Sequence, residues 1–406
     1  EKNTLAYSID RAAQPVILES ALGLQLSAAD FTGSLSIESR SPIIPVSDDY
    51  GLRTGKKSKI SYRANEQTFS IVNAQKQKMA LTFRVSDDGV AFRYVVNDTV
   101  IANKQFVKET THFQFSPATR AWLQPMAVAQ TGWSNTNPSY EEHYQMDIPV
   151  GTPSTLGAGW AFPALFHTGD NWVLLSEAGL NRHWHASRLH HESPGGRYQL
   201  ATPQAPEVFT NGELLANAKG EFVSPWRIVA IGDLPRIMES TLGTDLADPA
   251  MAVSDNFIKP GHASWSWAIL KDESITYEIQ KKFIDYAAEM QWDYTLIDVD
   301  WDTRIGYEKL QALVDYAAQK NIGILVWYNS SGAWNETPYH PKSELLTHAQ
   351  RNAVFARLKK IGIKGVKIDF FAGDGQSMIA YYIDIMTDAA AHGLLLNFHG
   401  ATIPRG

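Results

Sequence analysis

The residues with the most chemistry in them sit in one hexapeptide, Gly365-Val-Lys-Ile-Asp-Phe370. A short apolar run of this kind reads as a strand of a parallel sheet. Both faces of such a strand are covered, so a lysine and an aspartate inside it are costly unless they pair or work. Lys367 and Asp369 are two apart and project to one side of the strand. A structural ion pair would explain them. So would a carboxylate nucleophile beside a substrate-binding cation, since a nearby cation favours the charged form of an acid.

The surrounding sequence supplies the elements that must hold this strand. From residue 262 the chain alternates strands at 263–268, 294–299, 323–328, 365–370 and 394–399 with helices at 275–290, 307–320, 343–361 and 377–392. Strands alternating with helices of this length imply βαβ crossovers and a parallel sheet. An open sheet or a (β/α)8 barrel fits, and no glycine-rich dinucleotide fingerprint marks the former. Polar and aromatic residues gather at the C-terminal strand ends, where barrel enzymes keep their sites. Trp265 and Trp267 lie on the first strand, and Asp298, Asp300 and Trp301 close the second. Trp327 and Asn329 close the third, and Asn397 and His399 the fifth. Asp298 and Asp300, two apart, can address paired hydroxyls or serve as a helix N-cap and a salt-bridge partner. Five consecutive strand ends of this character point to a pocket.

The first half has a different rhythm. In residues 79–97, Leu81, Phe83 and Val85 alternate with polar residues, Asp87-Asp-Gly89 makes a turn, and Val90, Phe92, Tyr94 and Val96 alternate again. That is a β-hairpin with one buried face. Similar segments at 17–26, 59–62 and 172–175 predict an antiparallel β-sandwich over 1–233. A linker, expected to be helical, spans 234–261, and the barrel-like part 262–406. Four histidines fall in 181–191, where His183 and His185 would share a strand face as zinc ligands can. No carboxylate spacing completes that site, and a surface loop explains it as well.

Composition narrows the class. With 406 residues and 44% hydrophobic residues the chain holds two or three domains with packed cores. A net charge of −7 argues against a general nucleic-acid binder, and 12 Trp suit flat amphipathic ligands such as sugar rings, or a Trp-rich core. The absence of cysteine removes disulfides and thiolate catalysis and fits the cytosol or the bacterial periplasm. No run of eighteen apolar residues is long enough to span a membrane. The first residues lack a signal-peptide pattern, as a mature or trimmed chain also would.

Carboxylates at the mouth of an aromatic-rich barrel suggest glycoside chemistry, which needs a carboxyl group on each side of the scissile bond. Asp369 is the better nucleophile. No acid catalyst stands on the strand ends, and Glu336 and Asp374 have only their position on nearby loops to recommend them.

Several stretches resemble glycoside hydrolase family 97: Ala263-Ser-Trp-Ser-Trp267, Phe283-Ile-Asp-Tyr-Ala-Ala-Glu-Met290, Leu296-Ile-Asp298 with Trp301, Gly365-Val-Lys-Ile-Asp-Phe370 and Asn397-Phe-His-Gly-Ala401. Tyr7-Ser-Ile9 with Ala21-Leu-Gly-Leu24, and Asp87-Asp-Gly-Val-Ala-Phe-Arg93, are similar to that family's N-terminal domain. The resemblance implies an N-terminal sandwich, a catalytic (β/α)8 TIM barrel of which about five strands are in this chain, and action on α-glycosides. An aspartate at the position of Asp369 is similar to the retaining, α-galactosidase-like branch, with Asp369 as nucleophile. Asp298, Asp300, Trp301, Trp327, Lys367 and His399 are the expected substrate-binding residues. The acid catalyst is expected beyond Gly406. Calcium is the implied cofactor, with Glu177 as the ligand from the sandwich, and the periplasm the implied location. An α-glucosidase or a β-L-arabinopyranosidase of the same family, or a sugar-binding protein without an acid catalyst, are the alternatives. The expected partners are a small glycoside or oligosaccharide, no nucleic acid, no membrane span, and a C-terminal segment completing the barrel, because a half barrel would expose apolar edges.

Overall fold

Alternation in residues 78–96 gives the hairpin it dictates. In the computed structural model, which describes residues 3–101, 103–403 and 405, strands Lys78–Ser86 and Gly89–Val96 pair antiparallel from Ser86 opposite Gly89. Gly89 has φ +145°, and a Cβ there would meet the Val229 carbonyl oxygen at 2.2 Å, so this turn admits only glycine. Phe92, Tyr94 and Val96 turn into the core and are fully buried. The hairpin belongs to an antiparallel network of sixteen strands, and a further four-stranded sheet lies apart from it. Both contribute to one apolar core, Phe92 and Phe166 from the larger and Leu24, Leu26 and Phe106 from the smaller. The N-terminal part is therefore an antiparallel sheet domain. The segments anticipated at 17–26, 59–62 and 172–175 lie within strands Gln14–Leu22, Leu24–Leu26, Lys59–Val72 and Asn171–Ala178.

Residues 234–261 are helical only at first, in Leu234–Glu239 and Leu242–Asp245. Asp233 caps the first of these, its carboxylate accepting from the Arg236 amide. Past Asp245 the tract carries Pro249 and Pro260 and no apolar periodicity, and it runs without helix or strand to Ala263.

Five parallel strands follow: β1 (Ala263–Trp265), β2 (Tyr294–Ile297), β3 (Gly323–Asn329), β4 (Gly365–Asp369) and β5 (Leu395–Phe398). Their order in the sheet is their order in the chain. Helices α1 (Tyr277–Glu289), α2 (Gly306–Ala318), α3 (His348–Ile361) and α4 (Gln376–Ala391) connect them. Thr347 and Gln350 form a capping box at the start of α3, and Gly362 at φ +104° ends it. The first strand is shorter than its sequence suggests. Ser266, whose hydroxyl is buried against the Ser274 hydroxyl and the Gln280 amide, begins a short helix, Ser266–Leu270. Trp267 therefore leaves the sheet. Register places Trp327 beside Lys367, Lys367 beside Asn397, and Asn329 beside Asp369, a row of functional groups across the strand ends.

A buried chain of ions ties the sheet domain to the parallel sheet. Arg227 grips Glu109 (Nη2–Oε2 2.5 Å) and Glu177, Arg405 also reaches Glu177, and Arg188 pairs with Glu207 and, at 3.1 Å, with Asp374. Removing one partner from such a chain leaves uncompensated buried charge. Arg227→Met is expected to lower the free energy of unfolding by about 3–5 kcal/mol in urea denaturation. A loss below about 1 kcal/mol, the scale of an exposed pair, would mean that water reaches Glu109 and Glu177.

Candidate active site

Asp369 ends β4 with its carboxylate held by three donors. The Phe370 amide donates to Oδ1 (3.0 Å); Trp327 Nε1 (3.2 Å) and Lys367 Nζ (3.2 Å) approach Oδ2. The local backbone is bent to allow this. Phe370 has φ +65°, a left-handed conformation that costs a bulky residue about 1–3 kcal/mol. Its carbonyl is clamped by the Ser330 hydroxyl (2.9 Å), Trp334 Nε1 (2.9 Å) and Asn335 Nδ2 (3.3 Å). On the other side, a Cβ on Gly400 would come within 3.2 Å of Asp369 Oδ1, so this glycine leaves room for the carboxylate. Strain clamped this thoroughly beside a carboxylate marks a built site.

Lys367 is the hub. Its buried ammonium lies 3.1 Å from Asp298 Oδ2 and 3.2 Å from Asp369 Oδ2, with the Trp265 ring 4.4 Å below it. Trp265 Nε1 also donates to Asp298 Oδ2 (2.7 Å), and the Val299 amide to Oδ1 (2.9 Å). Burial raises the Asp298 pKa, and the Lys367 charge opposes that rise. With all its donors aimed at it, Asp298 is an acceptor and a positioning group for Lys367. Trp267 stacks on Trp265 at 5.8 Å and donates through Nε1 to Asp272 Oδ1 (2.7 Å).

The remaining sequence candidates divide. Trp301 is fully buried, its ring packed edge-on against Tyr307 and Tyr328 and its Nε1 donating to the Trp327 carbonyl. It supports the floor of the site and has no surface to offer a sugar, which corrects the expectation. Trp327 is equally buried and serves by orienting Asp369. Asp300 sits at φ +59°, its Oδ1 accepting from the His340 amide (2.8 Å), so it anchors the loop after β3. Asn329 is absorbed by Asn335 and Thr337 of that same loop. His399 stands at the open edge, with Nδ1 3.4 Å from Glu141 Oε1. This contact holds the Glu141 carboxyl below the usual carboxylate value.

Glu141 and Trp133 were missed in the sequence. Both lie in an irregular loop of the sheet domain, with Gly132, Asn135, Asn137 and Pro138 along it, that reaches across the strand ends. Tyr339 was missed too; its hydroxyl donates to both Asp272 oxygens.

Glu177 does not fit a calcium site in this structure. Its Oε1 accepts from the Ser187 amide and Arg405, and its Oε2 takes Arg227, so two fixed cations occupy the oxygens a third would need. Among the described residues no group of three or more His, Asp or Glu side chains converges as a metal site. Asp374 is paired with Arg188, and the Glu336 amide donates to the Ser134 carbonyl. His183 and His185 share no strand. His185 is buried in the core, its pKa pushed down to about 3 by burial and the nearby Arg227 and Arg188 charges, with Nδ1 accepting from the Ala216 amide.

Residues 1–249 match the family of glycosyl-hydrolase 97 N-terminal domains and residues 257–406 that of glycoside hydrolase 97. A probable retaining alpha-galactosidase of Streptomyces bingchenggensis is 29% identical over 99% of this chain and 59% of its own length. A retaining alpha-galactosidase of Bacteroides thetaiotaomicron is 24% identical over 82% of this chain and 52% of its own. A crystal structure of a beta-arabinopyranosidase superposes on 100% of this chain and 64% of its own, with a TM-score of 0.94 and 37% identity. The chain thus spans between half and two thirds of these relatives. With family matches covering nearly every residue, from the sheet domain through the strands that carry Asp369 and Lys367, this chain belongs to glycoside hydrolase family 97.

Proposed function

We propose that the chain carries the nucleophile and the sugar-binding floor of a retaining, exo-acting glycoside hydrolase that releases terminal α-galactose. The observation that carries this reading is Asp369, a strand-end carboxylate with three donors fixing its two oxygens beside a buried ammonium. In the first step an Asp369 oxygen bonds to the anomeric carbon from the β face as the glycosidic C–O bond breaks. The departing oxygen takes a proton from an acid that the described residues do not supply. Water then gives a proton back to the deprotonated form of that acid, attacks the same carbon from the α face, frees Asp369, and returns the anomeric configuration to α. Lys367, held between Asp298 and Asp369, donates to a sugar hydroxyl and fixes the ring over the nucleophile.

The unbroken order β1 to β5 supports a barrel. A doubly wound sheet reverses its strand order, and no reversal occurs in this sheet. We read the sheet as five strands of a (β/α)8 barrel, with β1 and β5 as the edges that further strands would pair.

A β-L-arabinopyranosidase is the second reading, favoured by the 37% identical structure. That sugar shares the galacto arrangement of hydroxyls. Time-resolved proton NMR of an aryl α-galactoside digest tests the mechanism. α-Galactose should appear first and convert to β only by mutarotation; β-galactose released first would overturn the role of Asp369. Aryl α-galactoside, α-glucoside and β-L-arabinopyranoside compared by kcat/KM assign the sugar, with α-galactoside expected to lead. A missing methylene in an apolar pocket is worth only about 10–200-fold, whereas a site that hydrogen-bonds the hydroxyl of the missing CH2OH rejects the sugar lacking it by about 10^4–10^5-fold.

A further inference from the structure

The sheet domain does more at this site than brace it. Its loop 131–144 crosses the C-terminal ends of the parallel strands. At one end the Ser134 carbonyl accepts from the Glu336 amide (2.8 Å), tying the loop to the segment after β3. At the other, Glu141 reaches His399 just past β5. Asp369, at the end of β4, lies between these two attachments in the sheet order.

Trp133 hangs from this loop and keeps 56% of its surface open to solvent, although its ring lies 5.7 Å from Tyr339 and 6.2 Å from Phe370. Phe370 is the residue after the nucleophile candidate. Its ring lies 6.0 Å from that of Trp327, whose Nε1 donates to Asp369. An aromatic path therefore leads from an exposed indole at the rim to the carboxylate. Tyr339, also within reach of Trp327 at 6.3 Å, closes the other side and is itself pinned by Asp272. Two neighbouring rings and a strained, clamped backbone fix where the indole stands, yet much of its surface remains uncovered. The mostly apolar face of a pyranose suits such a surface, since an indole offers a large flat contact at low conformational cost.

We infer that Trp133 is the platform of the leaving-group subsite, stacking against the second sugar ring while the terminal sugar sits on Lys367 and Asp369. The inference rests on reading Asp369 as the nucleophile. It also gives the sheet domain a part in choosing the substrate: the strand ends address the terminal sugar, and the loop addresses what that sugar is attached to.

Glycosyl fluorides separate the two claims, because a fluoride carries no second ring and leaves without a proton donor. The protein as its gene encodes it, and its Trp133→Ala and Trp133→Phe variants, would be assayed on α-D-galactosyl-(1→6)-D-glucose and on α-D-galactosyl fluoride. Trp133→Ala should lose about ten- to thirtyfold in kcat/KM on the disaccharide, the scale of one aromatic contact. On the fluoride it should stay within about twofold, and Trp133→Phe should recover most of the disaccharide rate. Equal losses on both substrates would make Trp133 a structural prop and overturn the inference, as would an unchanged disaccharide rate. A wild-type protein that leaves the fluoride intact overturns the reading of Asp369 itself, and the subsite falls with it.

Discussion

Asp369→Ala is expected to abolish hydrolysis of an aryl α-galactoside and to make β-galactosyl azide when sodium azide is added. The variant removes the oxygen proposed to attack and leaves in place the Phe370 amide, Trp327 Nε1 and the Lys367 ammonium that surrounded it. Those donors then line a space on the β face of the anomeric carbon, and a small anion beside a buried ammonium is a fitting occupant. Loss of the covalent route should lower kcat by about four orders of magnitude, or ~5.5 kcal/mol of transition-state stabilisation. Azide attacks from the side the carboxylate used, so its product is the β-azide, and no second displacement follows. The Lys367–Asp298 pair survives the substitution, so the fold should hold. Circular dichroism and the melting temperature of the variant check this. Undiminished turnover, or an α-azide, would exclude Asp369 as the nucleophile.

Much of the machinery around Asp369 was legible because buried parallel strands write themselves as short apolar runs. Gly365–Asp369 is buried at every position, so the lysine and aspartate within it could be singled out by type alone. Spacing also fixed their shared side, whereas the contact of Lys367 with Asp298, two strands away, comes only from the folded sheet. Aromatic residues resisted the same treatment. A tryptophan at a strand end can stack under a functional cation, as Trp265 does beneath Lys367, or be packed away beneath the strand ends like Trp301. The choice depends on partners such as Tyr307 and Tyr328 brought in by folding. The first strand was read too long because Ser-Trp-Ser-Trp alternates acceptably in either state, and only the buried contacts of Ser266 decide for a helix. Trp133 and Glu141 were out of reach altogether. More than two hundred residues separate them from β4, and nothing local to 131–144 announces what that loop lies against. The ion chain through Arg227 escaped for a related reason, since a lone arginine in a strand says nothing of the glutamates opposite it.

Lys367→Met is expected to damage both stability and activity, and the pH dependence of the stability loss identifies the cause. The wild-type ammonium faces Asp298 and Asp369 at once, with the Trp265 and Trp267 rings beneath. Taking it away leaves two buried carboxylates with no cation between them, a change of about 3–5 kcal/mol. Turnover should fall by about two to three orders of magnitude, the scale of removing one aimed donor from a reacting centre. Burial already raises the Asp298 pKa, Asp369 adds to the rise, and Lys367 is the charge that opposes both. Without Lys367 the folded-state pKa of Asp298 moves higher still above its unfolded value, about 3.9. A folded state that binds this proton more tightly gains stability in full below the unfolded pKa and loses it as pH rises through the folded one. The deficit of the variant against wild type should therefore be small near pH ~4 and should widen towards pH ~7. Urea denaturation of both proteins at the two pH values measures it. A deficit of the same size at both would mean that lost packing of the lysine stem, and no unbalanced carboxylate, destabilises the variant. Lys367 would then not be the charge that holds Asp298 and Asp369 together.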